Sequence, residues 1–115
     1  MALSTLLVSE TPESSTEIES IINDNSDMQL IGVAKRNEAE KLIEQKHPRV
    51  VWLDLSPDPQ FGLTLLSRLK ERYPEVHFLV SNEVLEADLV RNSMQLGAID
   101  FLDARTWSDQ LPDVM

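Results

Sequence analysis

The sequence predicts an α/β domain in which a parallel sheet is covered by helices on both faces. Two observations lead there. Five short apolar, β-rich runs, Leu3–Val8, Met28–Ala34, Val50–Leu55, Val76–Ser81 and Ile99–Leu102, alternate with stretches of about ten to fifteen residues that carry helical spacing. The central runs Val50–Leu53 and Phe78–Val80 are apolar throughout, as strands buried on two sides require. Strands joined one after another through helices form right-handed βαβ units, and hence a parallel sheet.

Each intervening stretch carries its own helix signals. In the first, Ile18, Ile21 and Ile22 fall on one face, and Pro12 is tolerated in the opening turn. In the second, Asn37 followed by Glu40 has the offset of a capping box, and Leu42 and Ile43 face inward. The third carries Phe61, Leu65, Leu66 and Leu69 on one helical face. The fourth runs from about Val84 to Leu96 and stops at Gly97, a suitable C′ residue. Pro48 and Pro74 stand shortly before strands, where a helix has to have ended. The tail after Arg105, with Trp107, Leu111, Pro112 and Val114, is too short for a full last helix. Either that helix is short or the native chain continues. No repeat or Gly/Ser linker interrupts the pattern, so residues 1–115 read as one domain.

Composition narrows the function classes. The chain has 115 residues, 42% apolar and 26% charged, enough to bury a core without disulfides or metals. It contains no cysteine, which removes disulfides, thiolate metal sites and cysteine catalysis together. Twenty acidic against ten basic side chains give a net charge of −10, which repels phosphates and disfavours direct nucleic-acid or anionic-membrane binding. The longest apolar run, Val50–Leu53, is too short for a transmembrane span, so no membrane insertion and a cytoplasmic location are expected. Basic side chains gather at Lys35–Arg49 and Arg68–Arg72, where several complement helix C-termini and a solvated face is the simplest account. His47 and His77 lie at a helix end and a strand start, with no Ser, Cys or carboxylate partner at a hydrolase spacing.

In a parallel α/β sheet the functional site lies at the carboxyl ends of the strands. The loops to inspect are Ser9–Pro12, Asp54–Gly62, Ser81–Glu83 and Asp103–Thr106. They contain Val50-Val-Trp-Leu-Asp54-Leu-Ser, then Gly62-Leu-Thr-Leu-Leu and Leu69-Lys-Glu-Arg-Tyr-Pro-Glu, then Phe78-Leu-Val-Ser81 and Gly97-Ala-Ile-Asp-Phe101-Leu. Over essentially its whole length this pattern resembles the receiver domains of two-component response regulators. The resemblance implies the flavodoxin-like (CheY-like) three-layer fold, with five strands in the order 2-1-3-4-5. It further implies Asp54 as phospho-acceptor, Ser81 as the hydroxyl ending the fourth strand, and Phe101 as the switch aromatic.

The same resemblance implies a Mg²⁺ ion held by the acceptor, by an acidic pair after the first strand and by a main-chain carbonyl two residues past the acceptor, here Ser56. A lysine after the fifth strand pairs with the phosphoryl oxygens. Several of these positions depart from the family pattern. The acidic pair reads Ser9-Glu10, so one charge is missing and the other sits on a longer side chain. The lysine position is Ala104, and Arg105 leaves the strand end on the other side because side chains alternate. Asp58, between Pro57 and Pro59, stands where receivers carry a proline, whereas Gly62 is in its family place. Weak Mg²⁺ binding at best, through Glu10, Asp54 and the Ser56 carbonyl, is therefore expected, with no other cofactor.

Simpler roles stand beside these. An Asp ending a central strand can serve only to accept loop N–H bonds, and Ser81 reads first as an N-cap for the segment containing Glu83. A flavin-binding, flavodoxin-type reading of the hydroxyl-rich loop Ser9–Thr16 is disfavoured, since that loop holds Glu10 and Glu13 and no Gly. The favoured reading is an atypical, pseudo-receiver domain: not an enzyme, but a phosphorylation-independent protein-interaction module. The alternative is a working receiver phosphorylated on Asp54 by a histidine kinase. The expected partner is another protein or an output domain of the same chain, with homodimerisation through the fourth helix, fifth strand and last helix. The run Arg91-Asn-Ser-Met-Gln-Leu-Gly-Ala-Ile-Asp-Phe-Leu also resembles the receiver-like N-terminal domains of CpaE/TadZ-type pilus-assembly ATPases, and receivers that precede DNA-binding domains.

Overall fold

The computed structural model describes residues 3–24, 26–55, 58–82 and 87–103, with the side chains of 12–14 and 99–103 outside the description. Strands and helices alternate along the chain: β1 Leu3–Val8, α1 Pro12–Asp24, β2 Met28–Ala34, a 3₁₀ turn Arg36–Glu38 leading into α2 Ala39–Lys46, and β3 Val50–Asp54. Then follow α3 Pro59–Arg72, β4 His77–Asn82, α4 Ala87–Gln95 and β5 Ala98–Asp103. All neighbouring strands pair in parallel, in the order β2-β1-β3-β4-β5. This is the doubly wound, flavodoxin-like sheet expected of the sequence.

Alternation along the strands divides the core in two. Leu6 and Val8, Val51 and Leu53, and Phe78 and Val80 face one side, where Ile43 of α2, Leu65, Leu66 and Leu69 of α3, and Leu89 of α4 close over them. Leu7, Val50, Trp52 and Leu79 face the other side, against Ile18 and Ile22 of α1. All five residues of β3 are buried, which is why its sequence shows no polar alternation. Leu6, Val8, Val51, Leu53 and Leu79 are all completely buried, as a central parallel sheet demands.

Local details correct three of the sequence expectations. Asn37 caps nothing: it lies inside the 3₁₀ turn, and the reaching-back carboxylate is Glu38, which accepts the Lys35 N–H at 3.1 Å. Glu40 instead pairs with Arg68 across to α3 at 2.7 Å. Phe61 does not face the core; it is 53% exposed, and Leu63, two residues on, is buried instead. The end of the fourth helix behaves as read, while its expected start at Val84 lies outside the described residues. Gly97 has φ +113°, a conformation that a side chain would strain, and its N–H returns to the Met94 carbonyl.

Candidate functional site

The carboxyl ends of β1, β2, β3 and β4 meet at one edge of the sheet. Asp54 is the last residue of β3, only 1% exposed and in register with Ser81 of β4. Ser9, the first residue past β1, donates its hydroxyl to Asp54 Oδ2 at 3.1 Å, and the same oxygen lies 3.3 Å from the Thr11 carbonyl. The Leu55 N–H continues the β3–β4 ladder onto the Ser81 carbonyl at 2.7 Å, so the chain leaving Asp54 is held at its first step.

Ser81 is not a helix cap. It lies inside β4, fully buried, and its hydroxyl accepts the indole N–H of Trp52 at 2.8 Å. Trp52 precedes Asp54 by two and projects to the same face, which brings the indole under the site. Glu10 reaches sideways: its Oε1 accepts the backbone N–H of Arg36 at 2.6 Å, joining the loop after β1 to the turn after β2. Asp58 has a structural duty too, as the N-cap of α3 accepting the Phe61 N–H at 3.2 Å, with Pro59 in the first turn behind it.

Arg36 is the residue that sequence reasoning missed. It belongs to a basic stretch read as a solvated face, yet it is only 6% exposed. Its Nη2 donates to the Leu55 carbonyl at 2.7 Å and lies 3.4 Å from the Asp54 carbonyl. Its guanidinium sits 5.3 Å from the centroid of the Phe61 ring, which accounts for the outward position of Phe61. The signal was available in the topology: β2 is parallel to the rest, so its exit loop opens at the same edge as the other three. A cleft of about 430 Å³ between Glu10, Lys35, Arg36, Asn37, Asp58 and Phe61 opens there to solvent.

Of the remaining site positions, Ser56 and Ala104 lie outside the described residues, as does the side chain of Phe101, whose backbone pairs with Val80. The residues present do not fit the Mg²⁺ ion that the resemblance implies. Among the described residues no three acidic or histidine side chains converge as a metal site. One Glu10 oxygen is taken by the Arg36 amide, and a hydroxyl stands where the second carboxylate of the pair would be. His47 and His77 line a separate cleft at the opposite, amino-terminal edge of the strands.

Comparison with known proteins places this arrangement. The family model described as "Response regulator receiver domain" matches residues 5–114. Among curated proteins, a protein-glutamate methylesterase/protein-glutamine glutaminase of Methanospirillum hungatei is 32% identical over 90 residues, covering 76% of this chain and 26% of that protein. The namesake of Moorella thermoacetica is 31% identical over 110 residues, 94% of this chain and 26% of its own length. The chain thus spans about a quarter of these two relatives. Among solved structures, the response regulator domain of Thermotoga maritima CheB superposes with a TM-score of 0.80 at 19% identity, covering 99% of this chain and 91% of that one. The isolated receiver domain of RcsB from Salmonella enterica serovar Typhimurium, solved with phosphomimetic BeF₃⁻, gives 0.84 at 14% identity over 98% of this chain and 85% of that one. The chain belongs to the response regulator receiver domain family of two-component signalling.

Proposed function

We propose that this receiver works as a phosphorylation-independent protein-interaction module in the cytoplasm, binding a protein partner or an output domain of its own chain. One observation carries the reading: the Ser9-Glu10 pair is turned inward onto the protein itself, Ser9 to Asp54 and Glu10 to the Arg36 amide. A phosphoaspartate brings about two negative charges. Receivers offset these with a metal and a lysine, whereas here the acidic pair is halved and Ala104 supplies no cation. The Ser81 hydroxyl, already accepting from Trp52, offers one neutral hydrogen bond in place of a charge-assisted one. The esterase activity in the relatives' names is not carried over to this domain.

The interacting surface in this reading is α4, β5 and the residues after them. Leu89 is buried and packs the domain's own core, so the surface rests on Asp88 and Arg91, which pair with each other, and on half-buried Val90. Glu86, Asp100, Asp103, Arg105 and Trp107 complete the expected surface in sequence; Glu86, Arg105 and Trp107 and the side chains of Asp100 and Asp103 lie outside the described residues.

Incubation with Mg²⁺ and acetyl phosphate or beryllofluoride tests the proposal. No acid-labile phosphoryl adduct and no spectral change are expected, and Asp54→Ala and Asp54→Glu variants are expected to bind partners like the parent. A stable adduct on Asp54, or loss of partner binding in a folded Asp54→Asn variant, assigns the domain instead to receivers phosphorylated by a histidine kinase.

A further inference from the structure

Arg36 lies at the carboxyl edge of the sheet, the edge at which the resemblance to receivers implies a metal ion. A guanidinium this buried is retained only where its surroundings compensate its charge. Compensation comes from the Leu55 and Asp54 carbonyls and from the face of Phe61. Gly62 lies beside the guanidinium: a Cβ there would meet Arg36 Nη2 at an ordinary contact of 3.5 Å, while pressing on Leu55 Cδ2 at 2.6 Å. The Glu10 carboxylate accepts the backbone N–H of Arg36.

We propose that Arg36 is the resident cation of this site and takes over the structural task that a divalent metal performs in metal-binding receivers. It holds the chain leaving β3 at Asp54 and Leu55 and fixes Glu10 on the neighbouring loop. A divalent ion placed there would face a fixed positive charge, together with a ligand set that has lost one carboxylate to Ser9 and half-engaged the other at Glu10. The loop edge is thereby set in one arrangement, independent of the metal concentration. This inference goes beyond the interaction role proposed above: it is read by cation titration, whereas that role is read by partner binding of Asp54 variants.

The test uses ¹⁵N spectra and thermal melts of the whole chain with MgCl₂ raised to about 10 mM, well above the millimolar range of weak sites, against NaCl of equal ionic strength. In the wild type the Leu55 amide, the Trp52 indole N–H and the melting midpoint are expected not to respond to Mg²⁺. Arg36→Met, of similar length but uncharged, is expected to melt about 5 °C or more lower and to acquire a Mg²⁺-dependent recovery with shifts at Leu55. Arg36→Lys, which keeps the charge, is expected to stay unresponsive. A Mg²⁺-dependent shift in the wild type overturns the proposal. So does an Arg36→Met variant that melts like the wild type, or one that is destabilised yet ignores Mg²⁺, since either leaves Arg36 with packing alone. Should Arg36→Met fail to fold, the wild type and Arg36→Lys decide: silence in both supports the resident cation, and a response in either overturns it.

Discussion

A hydroxyl and an indole show how single residues at this site carry structural duty. Ser81 stands where the resemblance to receivers implies a hydroxyl for the phosphoryl group, and its oxygen serves the N–H of the fully buried Trp52. Removing a hydrogen-bond acceptor in a dry interior exposes the donor's desolvation cost, so Ser81→Ala is expected to lose about 1–3 kcal/mol, measured by urea denaturation. The variant should also shift the fluorescence of the indole. Gly62 is held by a different constraint: an added Cβ would meet Leu55 Cδ2 at 2.6 Å and Leu55 Cα at 3.3 Å. Leu55 is completely buried and its backbone is pinned to Ser81, so it has little room to yield. Gly62→Ala is expected to cost about 1–3 kcal/mol by overpacking, again read from denaturant midpoints.

At the level of elements, α2 and α3 are tied on their outer faces by charges that the core does not need. Glu40 meets Arg68 at 2.7 Å, and Glu44 meets Arg72 at 2.6 Å and the Tyr73 hydroxyl at 2.9 Å. The Tyr73 hydroxyl foremost, and then the Arg72 guanidinium, hold the Glu44 carboxyl below its ordinary value. A carboxyl lowered in the folded state contributes stability that is present above its unfolded pKa and lost as the pH falls through the folded one. The difference in melting temperature between wild type and Glu44→Gln is therefore expected to be constant near neutrality. It should disappear as the pH drops from 4.5 through the lowered native value. The difference itself should be small, since both partners are exposed and solvent screens them. Salt should reduce it further.

For the whole molecule, the sheet order brings four loop regions to one edge and leaves α4 and β5 at the margin of the sheet, away from β2. An interaction module of this shape can present the α4–β5 side without disturbing the core, because Arg91 is exposed and, among the described residues, pairs with Asp88 on the same helix. Arg91→Glu is expected to weaken self-association or partner binding several-fold while leaving the melting temperature nearly unchanged. Sedimentation velocity checks the first and calorimetry the second. Unchanged association would assign the contact to another face.

Fold class and most element boundaries were legible in the pattern of the sequence, and the strand order in its resemblance to receivers. Burial on both faces forces the central runs Val50–Leu53 of β3 and Phe78–Val80 of β4 to be apolar, and a parallel sheet forces a helix between each pair of strands. Such periodicities are properties of neighbouring residues and survive in one dimension. Asp54 was legible as the polar residue closing an apolar strand run, whereas Gly62, inside α3, was singled out by the resemblance alone. What Arg36, Phe61, Ser81 and Glu10 do was decided only by the tertiary structure. A cationic side chain in a polar stretch reads as solvated unless the carbonyls that accept it are known, and those of Asp54 and Leu55 arrive from eighteen and nineteen residues away. Phe61 has core spacing along its helix but turns outward because a guanidinium lies where it can stack. Hydrogen bonds and charge pairing depend on distance and direction between segments, and those exist only once the sheet has brought the segments together.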